Sequence, residues 1–196
     1  MTQERWRTDR NREHMRVYDA YAHATTVIDE AHRLNHDGMM FHASGKVEGM
    51  VDANVDEFLL VTSAYNFPHI QRMAFTFGRG DIDIAVYEDT VTAAHGVAID
   101  VENTNRNSSN TNQLLAYSGP TLTDDGNLIH TQWVAPTSTG VGQSPTGITT
   151  NSNGEEWILK PSTKYLIRLT NNSGGAIALA GEALWYEPSY VVDETN

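Results

Sequence analysis

The chain has 196 residues, no cysteine, and 25 acidic against 13 basic side chains, for a net charge of −12. That composition excludes disulfides, thiolate metal sites and cysteine nucleophiles, and an acidic body repels nucleic-acid phosphates. Hydrophobic residues at 39% and charged residues at 19% suit one sandwich-sized body with an appendage, and no apolar run approaches the ~18 residues that span a bilayer.

The leading stretch MTQERWRTDRNREH lacks the apolar middle of a secretory signal, so the expectation is a soluble chain made in the cytoplasm. Its charge is unlike the rest. Residues 1–16 carry Arg5, Arg7, Arg10, Arg12 and Arg16 against Glu4, Asp9 and Glu13, a balance of +2 that leaves −14 for the remainder. A mixed run of this kind is either a solvated face or a contact for an acidic partner. Trp6 sits among these arginines, where no core holds it unless the arm docks, and an aromatic flanked by arginines has the composition of an interface hot spot. The candidate partner-binding residues are therefore Arg5, Trp6, Arg7, Arg10, Arg12 and Arg16.

Residues 11–37 predict a helix. Met15, Tyr18 and Tyr21, then Ile28, Ala31 and Leu34, recur at three- and four-residue spacings. Gly38 is a suitable stop, because glycine tolerates the left-handed conformation that ends helices. The β-branched group Thr25-Thr26-Val27-Ile28 marks a bend or break in its middle. Residues 1–44 thus read as a basic, helical arm and 45–196 as the body.

From Phe58 the period changes to two. EFLLVT (57–62) is a short apolar strand. IQRMAFTFG (70–78) alternates, with Ile70, Arg72, Ala74 and Thr76 on one side and Gln71, Met73, Phe75 and Phe77 on the other. DIDIAVYED (81–89) sets Ile82, Ile84 and Val86 against Asp81, Asp83, Ala85 and Tyr87, and Gly78-Arg79-Gly80-Asp81 between them reads as a hairpin turn. VAIDVE (97–102), LLAYSG (114–119), NLIHTQWVA (127–135), EWILK (156–160), KYLIRLTN (164–171) and AIALAGEALWYE (176–187) follow. Many short alternating strands with turn residues between them predict an antiparallel sandwich or jelly roll. Two connections stand out: the polar tract NTNRNSSNTN (103–112), and the Gly-, Ser-, Thr- and Pro-rich stretch 136–154. Long connections are usually functional or disordered.

Reactive groups at recognisable spacing are few. His32 and His36 share a helix face, but the stretch reads HRLNH rather than HExxH, and His42 adds no carboxylate; surface histidines are the plainer reading. Asp81, Asp83, Glu88 and Asp89 form an acidic group without the regular calcium-loop pattern, and a solvated outer face accounts for it. Ser44, Ser63 and Ser118 lie in no nucleophile elbow. Gly78-Arg79-Gly80 is too short to cradle a phosphate. No cofactor, metal or enzymatic activity is expected. Trp157 and Trp185 lie in apolar strands, where core packing is the default, and exposed aromatics on a sandwich can stack on sugars.

The order of segments resembles the head decoration or cement proteins of tailed bacteriophages. The resemblance is carried by HRLNHDGMMF (32–41), EFLLVT, VYED (86–89), NTNRNSS (103–109), Gly119-Pro120-Thr121, EEWILKPSTKYLIRLTN (155–171) and LWYE (184–187), and covers most of residues 30–187. It implies a jelly-roll or related β-sandwich, commonly a homotrimer, bound on the outer surface of the virion over junctions of the major capsid protein. The implied work is mechanical: holding the shell against the pressure of packaged DNA, with no direct contact to nucleic acid or membrane. The long helical lead departs from compact decoration proteins and leaves an alternative, a head-fibre or tail-associated module that binds a carbohydrate or other receptor.

Overall fold

The structure is a computed structural model that describes residues 15–19, 24–28, 30–78, 81–134, 146–149 and 156–188. It is mainly β, with every strand pairing antiparallel and a single short helix among the described residues. Of the helix predicted over 11–37, the described residues show only α1 (Glu30–His36). Ahead of it, β1 (Met15–Asp19) and β2 (Ala24–Ile28) pair as a hairpin, Met15 opposite Ile28 and Asp19 opposite Ala24. The correction has a local cause. Val17 and the run Thr25–Ile28 are stiff at χ1 and pack best on a pleated surface, and this preference outweighs the helical spacing of Met15, Tyr18 and Tyr21. Gly38 does end α1, with φ +70° and hydrogen bonds from Gly38 N to Asn35 O and from Met39 N to Leu34 O.

Two large sheets follow. The first contains β3 (Met40–Met50), β5 (His69–Phe77), β9 (Val101–Asn103), β13 (Thr146–Thr149), β14 (Trp157–Ile158) and β16 (Ile177–Tyr186). Its order is β13-β5-β16-β3-β9, and β14 pairs with β5 as well. The second runs β12 (Asn127–Val134), β6 (Ile82–Glu88), β15 (Lys164–Asn171), β4 (Val55–Val61), β10 (Leu115–Ser118), β8 (Val97–Ile99). A small pair, β7 (Val91–Ala94) with β11 (Thr121–Asp124), completes the set. Eight of the strands pair in a nested way. The earliest, β3, lies against the last, β16; β4 lies against β15, β5 against β13, and β6 against β12.

The sheets bury one core between them. Phe41, Met73, Phe75, Phe77, Leu179 and Trp185 from the first sheet meet Leu60, Ile82, Ile84, Val86, Ile167 and Leu169 from the second. Side chains of this size each contribute about 1.5–3 kcal/mol when fully buried. β3 runs through residues 44 and 45, the expected junction of arm and body, and its Phe41 and Ala43 already belong to that core.

Alternation along β6 is as read from the sequence, with Ile82, Ile84 and Val86 buried. Three other readings are corrected. A register irregularity opposite Leu184 and Trp185 brings Ile70 onto the buried side with Met73, Phe75 and Phe77. The strands on either side of Gly78–Asp81, read as a hairpin, belong to different sheets, because β5 and β6 each offer an apolar face to the same core from opposite sides. VAIDVE divides at Asp100 into β8 in one sheet and β9 in the other, so this stretch turns a corner of the sandwich-like body.

Glycine is required at Gly126, between β11 and β12. Its φ is +88°, and a Cβ there would stand 2.3 Å from Glu88 O. Gly174 has φ +75° but open space around it. Gly174→Ala is expected to cost about 1 kcal/mol from backbone strain alone, and Gly126→Ala measurably more, because the β6 backbone must also move. Urea unfolding of both variants tests this; equal costs would refute the close approach.

Candidate functional site

Of the candidate contact residues, Arg5, Trp6, Arg7, Arg10 and Arg12 lie outside the described residues, and Arg16 lies in β1 opposite Val27. The described body shows how its polar side chains are used and which apolar ones are left at the surface.

Arg168, on β15, occupies the middle of the second sheet's outer face. Its Nε donates to Glu57 Oε1 at 2.7 Å, its two terminal nitrogens donate to the two oxygens of Asp125 at 2.6 and 2.7 Å, and the guanidinium lies over the Tyr87 ring at 5.2 Å. A planar fork is suited to this bidentate grip. Asp125 belongs to the long connection between β6 and β12, so the contact fastens that connection to the sheet. Thr90 Oγ1 to Asp125 O and Lys164 Nζ to Thr92 Oγ1 add to it. Leu59 and Leu166, opposite each other on β4 and β15, are fully buried outside the main core cluster, so this outer face is covered rather than open.

The Arg168 guanidinium holds the Asp125 carboxyl below the usual carboxylate range, and Lys160 does the same for Glu88. Glu88 also accepts from Tyr165 Oη at 2.9 Å, and burial pushes the Tyr165 hydroxyl up to about 12. Asp56 moves the other way, raised by burial.

Glu187, just past β16, is a buried carboxylate that accepts four N–H groups: Trp185 Nε1, Asn66 Nδ2 and the backbone nitrogens of Gln113 and Leu114, at 2.7–2.9 Å. Satisfied in this way, the charge ties two loops to the last strand. The asparagine tract is similarly occupied. Asn105 Nδ2 donates to His36 O, Asn103 Nδ2 to Gly38 O and Asn110 Nδ2 to Asp37 O, while Thr104 Oγ1 donates to Asn35 Oδ1. The three asparagine amides satisfy backbone carbonyls at and just past the C-terminal end of α1, which a helix leaves without internal partners. The tract fastens α1 to the body.

His32 and His36 face each other with Nε2 atoms 3.0 Å apart, and among the described residues no group of three or more His, Asp or Glu side chains is placed to hold a metal. The acidic group is dispersed over partners: Asp81 accepts from Trp133 Nε1, Asp83 from Asn172, Asp89 from Asn127. Trp185 is in the core as expected. Trp157 is half-buried, edge-on to His130, and Trp133 is exposed. Between the sheets, an apolar cavity of about 50 Å³ is lined by Ala43, Phe58, Phe75, Ile99, Ile167 and Ala183 among others, room for a few waters rather than a substrate.

Exposed apolar side chains among the described residues include Tyr65, Val97 and Ile158, and β12 gathers several on one strand. Among the described residues no strand lies on its outer side. Leu128, Ile129 and Trp133 are 55%, 45% and 60% exposed, three large apolar groups on one edge strand. The sequence marked this stretch as a strand; its place at an edge depends on pairing with β6, distant in the chain.

Asp125 and Glu88 bind protons more weakly in the native state than in the unfolded chain. They add stability above the ordinary carboxylate pKa, near 4, and that contribution is lost as pH falls through their native values; Asp56 has the opposite sign. Arg168→Gln is expected to cost roughly 1–3 kcal/mol at pH 7 and to weaken the loss of stability on acidification, measured as urea midpoints between neutral and acid pH. An unchanged acid profile would remove Arg168 from that role. In comparison with known proteins, the chain matches no family model and no curated protein.

Proposed function

We propose that the chain is a non-enzymatic, jelly-roll decoration protein that binds the outside of a bacteriophage head at junctions of the major capsid protein and stabilises the shell. The observation that carries the reading is the nested pairing of β3 with β16, β4 with β15, β5 with β13 and β6 with β12. Such nesting is what a rolled-up pair of Greek keys, as in capsid and lectin domains, would produce, and it supports the jelly-roll reading. Fold alone does not assign a role; the resemblance of the segment order to that of decoration proteins supports the rest of the reading. A binding role also fits the division of labour in the body, in which polar side chains fasten loops while apolar ones line the β12 edge.

The arm, with Trp6 and its arginines, is the proposed grip on the shell or on a neighbouring copy. The protein acts as a homo-oligomer, the trimer of the resembled family being one such form. Several weak arms on one oligomer bind together with high avidity, because each later contact is intramolecular. The alternative, a carbohydrate- or receptor-binding module, would place exposed Trp or Tyr and the asparagine tract at a sugar site; Trp133 and Tyr65 are exposed, but the amides of Asn103, Asn105 and Asn110 are bonded at the end of α1.

Deleting residues 1–20 is expected to abolish or sharply weaken co-sedimentation with expanded, assembled heads while leaving the circular dichroism of the body intact. Undiminished occupancy of the shell would take the arm out of the mechanism. Failure of the full chain to bind heads at all would refute the decoration role.

A further inference from the structure

We infer that two copies of this chain pair through β12, strand against strand, about a twofold axis. The inference goes beyond the decoration reading and stands without it; it sets a twofold pair against the trimer that the resemblance implies, and the mass of the protein in solution decides between them. An edge strand presents a row of unpaired N–H and C=O groups, and folded proteins guard such edges with charges, proline or short length. Among the described residues, the other edges of the two large sheets are short or charged: β8 has three residues and is followed by Asp100, β9 has three and contains Glu102, and β13 has four. β12 is different. Its eight residues, NLIHTQWV, include no charged side chain and no proline, in a chain of net charge −12.

That neutrality identifies the occupant. In antiparallel self-pairing, each strand meets its own sequence reversed, and any charge on it would have a like charge nearby. β12 is the long edge whose own residues set no like charge against those of a second copy. A basic or acidic partner, by contrast, would find no counter-charge on the strand itself. The apolar side chains needed to cover the contact are present in the exposed Leu128, Ile129 and Trp133. The register irregularity with β6 lies between Leu128 and His130, so His130–Val134 remains a regular stretch matched one to one with β6. Placing Thr131 on the axis sets Ile129 of one copy opposite Trp133 of the other. The contact is isologous and closed, and it joins the two second sheets into one.

The test uses the full chain and light scattering after size exclusion over a range of concentrations. The expected mass is that of two chains, falling by half in Ile129→Lys and in Thr131→Lys with unchanged circular dichroism. Val97→Lys, on the opposite edge of the same sheet, is expected to stay paired. A single-chain mass for the unaltered protein at the highest concentration, a three-chain mass, or a pair that survives both lysines would overturn the inference. If the lysine variants do not fold, hydrogen exchange of the unaltered chain decides: β12 amides gain protection with concentration, or the pairing is wrong. Head binding by a protein of single-chain mass would sink the pairing alone, and a two-chain mass without head binding would sink the decoration role alone.

Discussion

The body depends on the two strands that arrive last. β15 lies between β4 and β6, and β16 lies between β3 and β5, so each large sheet has a central strand drawn from the end of the chain. Their side chains are among the most deeply buried: Leu166, Leu169 and Trp185 are inaccessible to solvent. Each early strand has other neighbours, but the middle of each sheet is missing until residues 164–186 are in place. Contacts so distant in sequence require large loops to close before they stabilise anything, and folds of this kind form slowly.

Polar chemistry in the described body serves this frame. Glu187 follows β16 directly and gathers four donors from Trp185 and two distant loops. Arg168 sits on β15 and reaches across to Glu57 and Asp125. Both carry the influence of a late central strand outward to loops that have little core of their own. The asparagine tract does the same for α1, since an amide that caps a carbonyl restrains the segment it belongs to.

Much of the strand content was legible because burial imposes a period of two where one face meets a core. Ile82, Ile84 and Val86 show it plainly, and KYLIRLTN maps onto β15 without adjustment. Topology was less legible. Gly78–Asp81 has the composition of a hairpin turn, and whether the next strand lies beside β5 or across the core from it is decided by distant partners. VAIDVE alternates smoothly through Asp100, where the chain changes sheet. The lead was misread because Met15, Tyr18 and Tyr21 satisfy a helical spacing while their neighbours favour strands. For the candidate site, the arginine-flanked Trp6 was visible from composition alone. The β12 edge was not, since a strand's sequence does not say how many neighbours it will have.

The connection between β6 and β12 has a different bearing on the molecule. Those strands are adjacent in the sheet, so the 38 residues from 89 to 126 leave the frame and rejoin it at nearly the same place. Within them, β8, β9 and β10 extend both sheets at one flank, while Asp125 and Gly126 anchor the return. Lengthening a closed loop adds little entropy cost, so this is where a lineage can acquire, enlarge or exchange surface features without rebuilding the eight nested strands. Diversity among descendants of such a scaffold would collect on that flank, and kinship would be kept by the interior.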